Sequence, residues 1–245
     1  NKVTSLFKAS YEGYDLTMSS PVFVEGHNAN AIWSYVYDGV RNLGTEASPN
    51  WQPTVKGAGD SFFNFGAWTT GDATKFCVDG GTTVAPLIIG LTNGLKVYDF
   101  DLQFIVTGKI GHVFRRESFN YPPVWNGRVL PNSKLNEVLN GDPMKIVPLP
   151  MNGEIEGRYY FWDRFHQYLD YLVEDAGHIR FQEINLTYNL PSSIGKSVGL
   201  KNLQLFAQGN NLFSIYFNKY NEDPEFPRGG FKLTPQYTFG LKVKL

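Results

Sequence analysis

The stretch from Pro86 to Phe114, PLIIGLTNGLKVYDFDLQFIVTGKIGHVF, decides the fold. In its first half Leu87, Ile89, Leu91, Leu95 and Val97 share odd positions. After Tyr98-Asp99 the phase changes, and Phe100, Leu102, Phe104, Val106 and Ile110 share even ones. Such alternation is the period of a β-strand with one apolar and one wetter face. A phase change at a short polar turn keeps one sheet face apolar through both arms, so the stretch reads as a hairpin. Each arm runs to about 12 residues, against ~5–6 in an ordinary soluble strand, and a tilted strand needs ~9–11 to cross a bilayer.

The same pattern recurs downstream. In HIRFQEINLTYNLP, His178 to Pro191, Ile179 and Phe181 lie on one phase and Ile184, Leu186, Tyr188 and Leu190 on the other. The slip at Gln182-Glu183 predicts a β-bulge or a strand leaving the bilayer. LKNLQLFAQGNNLF sets Leu203, Leu205 and Ala207 against Gln204, Gln208 and Asn210. The terminal QYTFGLKVKL sets Tyr237, Phe239, Leu241, Val243 and Leu245 towards lipid and Lys242 and Lys244 away from it. Its expected neighbour is the Leu200–Phe213 strand, with its other edge paired by a segment outside residues 1–245, because an unpaired backbone edge is not tolerated in lipid. Upstream, NANAIWSYVYDGV puts Ala31, Trp33, Tyr35 and Tyr37 on one face, and KVTSLFKASY is a further strand candidate. Six or seven strands result, whereas a closed membrane barrel needs about eight. Residues 1–245 therefore read as part of a barrel.

Composition agrees. The chain has 245 residues, a formal net charge of -1, 16% aromatic and 18% charged residues, 25 Gly and 14 Pro. This suits many strands and turns with aromatic girdles. A near-neutral charge argues against nucleic acid, which would want a basic stripe. Cys77 is the single cysteine, so no internal disulfide forms. No run approaches ~18 apolar residues, which excludes a transmembrane helix but not barrel strands. The sequence opens NKVTSLFKAS without Met or signal peptide and reads as a processed or partial chain.

Two long connections remain, Arg41 to Ala85 and Glu117 to Gly177. Together with NKYNEDPEFPRGG they are expected outside the cell, since barrels carry short periplasmic turns and long external loops. Phe161, Phe165, Tyr168, Leu169 and Leu172 recur at helical spacing and predict a helix over Tyr159 to Glu174. The cluster RYYFWDRF sets Arg158, Tyr159, Tyr160, Trp162 and Asp163 as candidate ligand- or partner-binding residues, because stacking aromatics beside hydrogen-bonding groups suit sugar or peptide. Packing of that helix accounts for the same residues as well.

Catalytic and metal signatures are weak. Gly195-Lys196-Ser197 lacks the glycine and the strand–loop–helix setting of a phosphate loop. His166, Asp170 and Glu174 could line one helix face as metal ligands, but a polar helix face explains them too. Asp72 to Gly81 reads as a turn before a Ca²⁺ loop. Asn185-Leu186-Thr187 is a glycosylation sequon lying in a predicted strand. His27, His112 and His178 are scattered singly. No enzyme activity, cofactor or metal is expected.

Ordered motifs now carry a resemblance. Gly141, Asp142, Ile146 and Pro148 are followed by Val173, Glu174, Ile179 and Arg180, then by Tyr188, Leu190 and Pro191. Asn211-Leu212-Phe213 and Asp223-Pro224-Glu225 come next, and upstream lie Pro86, Gly90, Leu91, Asn93, Tyr98, Asp101 and Leu102. This set, in this order and over about two thirds of the chain, resembles the C-terminal end of SusC/RagA-like TonB-dependent outer-membrane transporters. The resemblance implies the last part of a 22-stranded antiparallel barrel with long extracellular loops, the plug and earlier strands being absent here. It also implies TonB-driven uptake of oligosaccharides or peptides across the outer membrane of a Gram-negative bacterium. The implied partners are the remaining barrel and plug, a SusD-like surface lipoprotein, TonB through the missing N-terminal part, and outer-membrane lipid. Two other readings remain open at this point: a barrel used as scaffold without transport, and a soluble β-sandwich binding module. Ending on Leu245 departs from the aromatic on which such barrels commonly end.

Overall fold

The structure is a computed structural model describing residues 2–4, 10–11, 14–15, 25–42, 45–49, 51–56, 77–117, 154–155, 158–159, 168–191, 193–194, 202–226 and 233–244. Its strands, in chain order, are β1 Ser10–Tyr11, β2 Tyr14–Asp15, β3 Ala31–Tyr35, β4 Tyr37–Asn42, β5 Trp51–Val55, β6 Cys77–Thr82, β7 Leu87–Val97 and β8 Phe100–Ile110. They continue with β9 Val113–Arg115, β10 Glu154–Ile155, β11 Arg158–Tyr159, β12 Val173–Asp175, β13 His178–Asn189, β14 Asn202–Tyr216 and β15 Gln236–Lys244. The chain divides into two units. One comprises 1–84, 113–174 and 227–230; the other comprises 85–112, 175–226 and 231–245.

The second unit is an antiparallel five-stranded sheet in the order β15-β14-β13-β8-β7. The predicted hairpin is there, with Leu87 opposite Ile110, Leu91 opposite Val106 and Val97 opposite Phe100. Odd residues of β7 thus meet even residues of β8, and the apolar side is continuous. Tyr98 turns the corner at φ 52°, a left-handed conformation uncommon for a bulky residue. The predicted slip in β13 is a bulge between Phe181 and Glu183 against both neighbours. It compensates the phase change, so that Ile179 and Phe181 share a face with Ile184, Leu186 and Tyr188. On β14 the same bulge places Asn211 at φ 52°. The terminal strand pairs with β14, Leu205 opposite Leu241 and Ala207 opposite Phe239, and β14 is its one neighbour among the described residues. Leu245 lies outside the described residues.

One face of this sheet is apolar and open. Leu87, Leu91, Leu95 and Val97 are exposed on it, as are Leu205, Phe213, Ile215, Tyr237, Phe239, Leu241 and Val243. Aromatic rings run across it, Phe100 stacking on Tyr188 at 4.6 Å and Phe181 on Phe213 at 5.3 Å between centroids. An apolar surface of this extent marks contact with lipid or with protein. With strands of 9 to 15 residues, the sheet is a segment of a transmembrane β-barrel. The two-residue turn at 98–99 and the 190–201 connection leave one end of the sheet; the 111–177 and 217–235 connections leave the other. This is the short-turn, long-loop asymmetry of such barrels.

The first unit has its own small core of Trp33, Tyr35, Phe114, Leu169 and Leu172. Here several expectations are corrected. Ala31 to Tyr37 is not one half-buried strand. It breaks at Val36 into β3, paired with β6, and β4, paired with β5. Trp33, Ser34 and Tyr35 are all buried, so both faces of β3 are covered. The connection after Arg41 carries β5 and β6 within it, and Asp79 lies in a strand, its carboxylate accepting the Gly81 N–H at 2.9 Å. The helix over Tyr159 to Glu174 is contradicted at both described ends. Arg158–Tyr159 pairs with Glu154–Ile155 as a hairpin, Asp170–Leu172 is a single 3-10 turn, and Val173–Asp175 is a strand. Tyr35 N–H donates to Tyr168 O at 2.9 Å and Arg116 N–H to Leu172 O at 2.8 Å. Bonding to these strands outweighs the helical spacing, and Leu169 and Leu172 bury in the sheet core instead. Residues 160–167 lie outside the described residues.

Candidate functional site

Opposite the apolar side, the second unit's sheet presents a polar face. At the short-turn end Lys96 Nζ lies 3.7 Å from Asp101. Asn189 Nδ2 donates to the other oxygen of Asp101 at 2.8 Å, and Gln204 Nε2 donates to Asn189 Oδ1 at 2.6 Å. Farther along, Glu183 accepts from Asn185 and Gln208. On β15, Lys242 Nζ sits 5.6 Å over the Phe206 ring, opposite Leu241, as the alternation requires. Lys244 holds the register position opposite Asn202. Phe206 fits because its cross-strand partner is Gly240, where a Cβ would overlap the ring. Such cross-strand pairs contribute roughly 0.2–1 kcal/mol each and align the strands.

The long-loop end is ionic. Arg180 Nη2 donates to Asp223 Oδ1 at 2.6 Å and to Glu225 Oε2 at 2.8 Å, while Lys109 Nζ meets Glu225 Oε1 at 2.6 Å. Tyr216 OH donates to Asp223 Oδ2 at 2.9 Å, and Arg180 Nη1 donates to Ser214 Oγ at 3.2 Å. His178, 2% exposed, holds Ala176 O at 2.8 Å through Nδ1 and points Nε2 towards Glu225 at 3.8 Å. Asn218 caps the loop by accepting the Glu222 N–H at 2.9 Å and donating to Glu222 O at 2.8 Å. Strands β8, β13 and β14 thus clamp the connection after Tyr216 onto the polar face. Burial alone would raise the Asp223 carboxyl, but Arg180, the Glu225 N–H and the Tyr216 hydroxyl together hold it below the usual range. Burial opposes ionisation of Glu225 likewise, and Lys109 and Arg180 overcome it. Burial, then His178 and Lys109, lower His112.

The clamp was half legible. Arg180, Asp223 and Glu225 stand in the motif set, but nothing in their spacing joins them. His112 and His178, read as scattered, come to 6.1 Å between ring centroids. An arginine inside an apolar alternation, with an Asp-Pro-Glu downstream, was the available signal. Of the five candidates from RYYFWDRF, Arg158 and Tyr159 form β11 and Tyr160, Trp162 and Asp163 lie outside the described residues. Asp170 and Glu174 do not share a helix face, and Asp170 Oδ1 accepts the Tyr37 and Tyr171 N–H groups. His166 and Gly195-Lys196-Ser197 lie outside the described residues. In the first unit Arg115 Nη2 donates to Trp33 O at 2.6 Å and to Ser34 Oγ at 2.9 Å, a staple on β3. Burial pushes the nearby Cys77 thiol up to about 12, the value of an unreactive thiol.

No protein-family model matches the chain. A TonB-dependent receptor P3 of Formosa agariphila is 26% identical over 229 residues, which cover 90% of this chain and 21% of that protein. The RagAB peptide importer in its open-open state superposes with a TM-score of 0.51 at 15% identity, over 98% of this chain and 24% of the importer chain. A second RagAB peptide transporter structure matches at 0.48 and 15%, over 90% and 23%. The chain spans between a fifth and a quarter of the length of these proteins. In sequence along nine-tenths of its length, and in the antiparallel membrane sheet itself, the chain is similar to a segment of the SusC/RagA-like TonB-dependent outer-membrane receptors.

Proposed function

We propose that residues 1–245 form the C-terminal part of a TonB-dependent importer in the outer membrane of a Gram-negative bacterium. The carrying observation is the sheet with one open apolar face and one hydrogen-bonded polar face, with its long connections all at one end. Lipid meets the first face and an aqueous lumen the second. The plug and the remaining strands close the barrel, and TonB acts through the N-terminal part. The names of the similar proteins, a TonB-dependent receptor and a peptide importer, support import. The cargo in this reading is peptides or oligosaccharides, and a SusD-like lipoprotein lies over the external loops. Arg158, Tyr159, Tyr160, Trp162 and Asp163, in the connection between β8 and β13, are the proposed contacts with solute or lid. The reading contains no enzymatic step.

The test is uptake by cells carrying the full-length receptor. Radiolabelled peptide and oligosaccharide pools are offered with and without TonB, and the receptor is located by membrane fractionation. Uptake that falls to background without TonB supports the reading. A receptor found in the soluble fraction, or uptake indifferent to TonB, overturns it. A cysteine placed near Asn126 should react with an impermeant biotin reagent on intact cells. Protection until the outer membrane is opened would put that connection on the periplasmic side.

A further inference from the structure

The apolar face of the sheet has one exception. On β7 Leu87, Ile89, Leu91, Leu95 and Val97 share that face with Asn93, which stands opposite Phe104 on β8. Away from the bulge, the same face of β8, β13, β14 and β15 carries aliphatic, aromatic or glycine residues. Its hydroxyls, on Tyr188 and Tyr237, lie near strand ends. Asn93 is exposed, and among the described residues its amide has no hydrogen-bond partner. β7 runs eleven residues, Leu87 to Val97, so Thr92 is its centre. At ~3.4 Å per residue and ~45° tilt, Asn93 then lies about 2.4 Å from the bilayer midplane. A lone amide at that depth is costly, because hydrocarbon offers it neither donor nor acceptor.

The sheet ends at β7, whose outer edge has no partner among the described residues. In lipid such an edge must be paired, so another strand of the barrel lies along it. The residue directly opposite Asn93 on that strand has its Cβ about 4.5–5.5 Å away, within hydrogen-bonding reach of an amide. Alternation sets the register there only in part. A slip of one residue would turn the leucines away from lipid, whereas a slip of two lays one apolar row against another. A single amide tells those registers apart, as one buried Asn does in a coiled coil.

We propose that Asn93 is the register lock of this seam. It exchanges a hydrogen bond, near the middle of the membrane, with a Ser, Thr, Asn or Gln on the lipid-facing side of the strand that adjoins β7. The lock requires the barrel and is indifferent to what the barrel transports.

The experiment uses the intact receptor folded into phosphatidylcholine vesicles and unfolded with guanidinium. If Asn93 met lipid alone, Asn93→Leu would raise the ratio of folded to unfolded receptor, since leucine is favoured in hydrocarbon. The lock requires the opposite, a fall of about tenfold, as for ~1.4 kcal/mol from one partner left unmatched. Asn93→Gln should fall less, and adding Leu95→Asn to Asn93→Leu should not restore the ratio. In a Cys77→Ser background, Asn93→Cys is then combined with single cysteines at each lipid-facing position of the adjoining strand. A disulfide should form at one position, whose native residue is Ser, Thr, Asn or Gln. A ratio raised or unchanged by Asn93→Leu, a disulfide opposite an apolar residue, or none with that strand would overturn the proposal. So would disulfide dimers through Asn93→Cys, or a loss that depends on receptor concentration, because the occupant would then be a second copy.

Discussion

Arginine placed along β15 measures which face meets lipid. The strand has nine residues, Gln236 to Lys244. At ~3.4 Å per residue and ~45° tilt each residue advances about 2.4 Å along the bilayer normal. Gly240 is then near the midplane, Phe239 and Leu241 lie about 2.4 Å to either side, and Tyr237 and Val243 about 7 Å away. Phe239 is 77% and Leu241 63% exposed, so among the described residues no group on that side shelters a charge. Phe239→Arg and Leu241→Arg should each cost ~2–4 kcal/mol, and Tyr237→Arg and Val243→Arg roughly 1–2 kcal/mol, by interpolation towards the interface. Thr238→Arg, on the polar face opposite Gln208, should stay within about 0.5 kcal/mol. The assay is guanidinium titration of the full-length receptor folding into phosphatidylcholine vesicles, followed by tryptophan fluorescence and gel mobility. Costs below ~0.5 kcal/mol at Phe239, Leu241 and Val243 alike would refute the lipid-facing assignment.

Gly240→Val forces a side chain into the Phe206 ring and should cost ~1–3 kcal/mol in the same titration, with Phe206→Ala restoring most of it. Asp223→Ala leaves the buried Arg180 with Glu225 as its remaining carboxylate and should cost about 3 kcal/mol, seen as faster motion of a nitroxide at Tyr220→Cys. Because the Asp223 and Glu225 carboxyls are depressed in the folded state, the clamp's contribution is complete above their unfolded values and is lost only as the pH falls below about 4. The same nitroxide in the wild-type background should therefore stay immobile down to that pH. Cys77, with its thiol raised to about 12, should react with maleimide at pH 8 on the order of a thousandfold more slowly than after unfolding, by mass alkylation.

Alternation alone determined the membrane sheet. In β7, β8, β13, β14 and β15 each side chain's face follows from its parity, since lipid on one side and water on the other leave no other register. Even the bulge was legible, because Ile179-Phe181 and Ile184-Leu186 stand out of phase and one extra residue reconciles them. Parity misled wherever protein covers both faces. Trp33, Ser34 and Tyr35 are buried together, and the helical spacing around Tyr168 to Leu172 belongs to a segment bonded to strands. The clamp could come only from the tertiary structure. Lys109, His178, Arg180 and Glu225 lie on two strands and a loop, and only the register of β8 and β13 and the return of the chain after β14 bring the charges within 4 Å. Periodicity is a property of one strand facing two solvents, whereas a salt bridge is a distance between strands, which pairing alone sets.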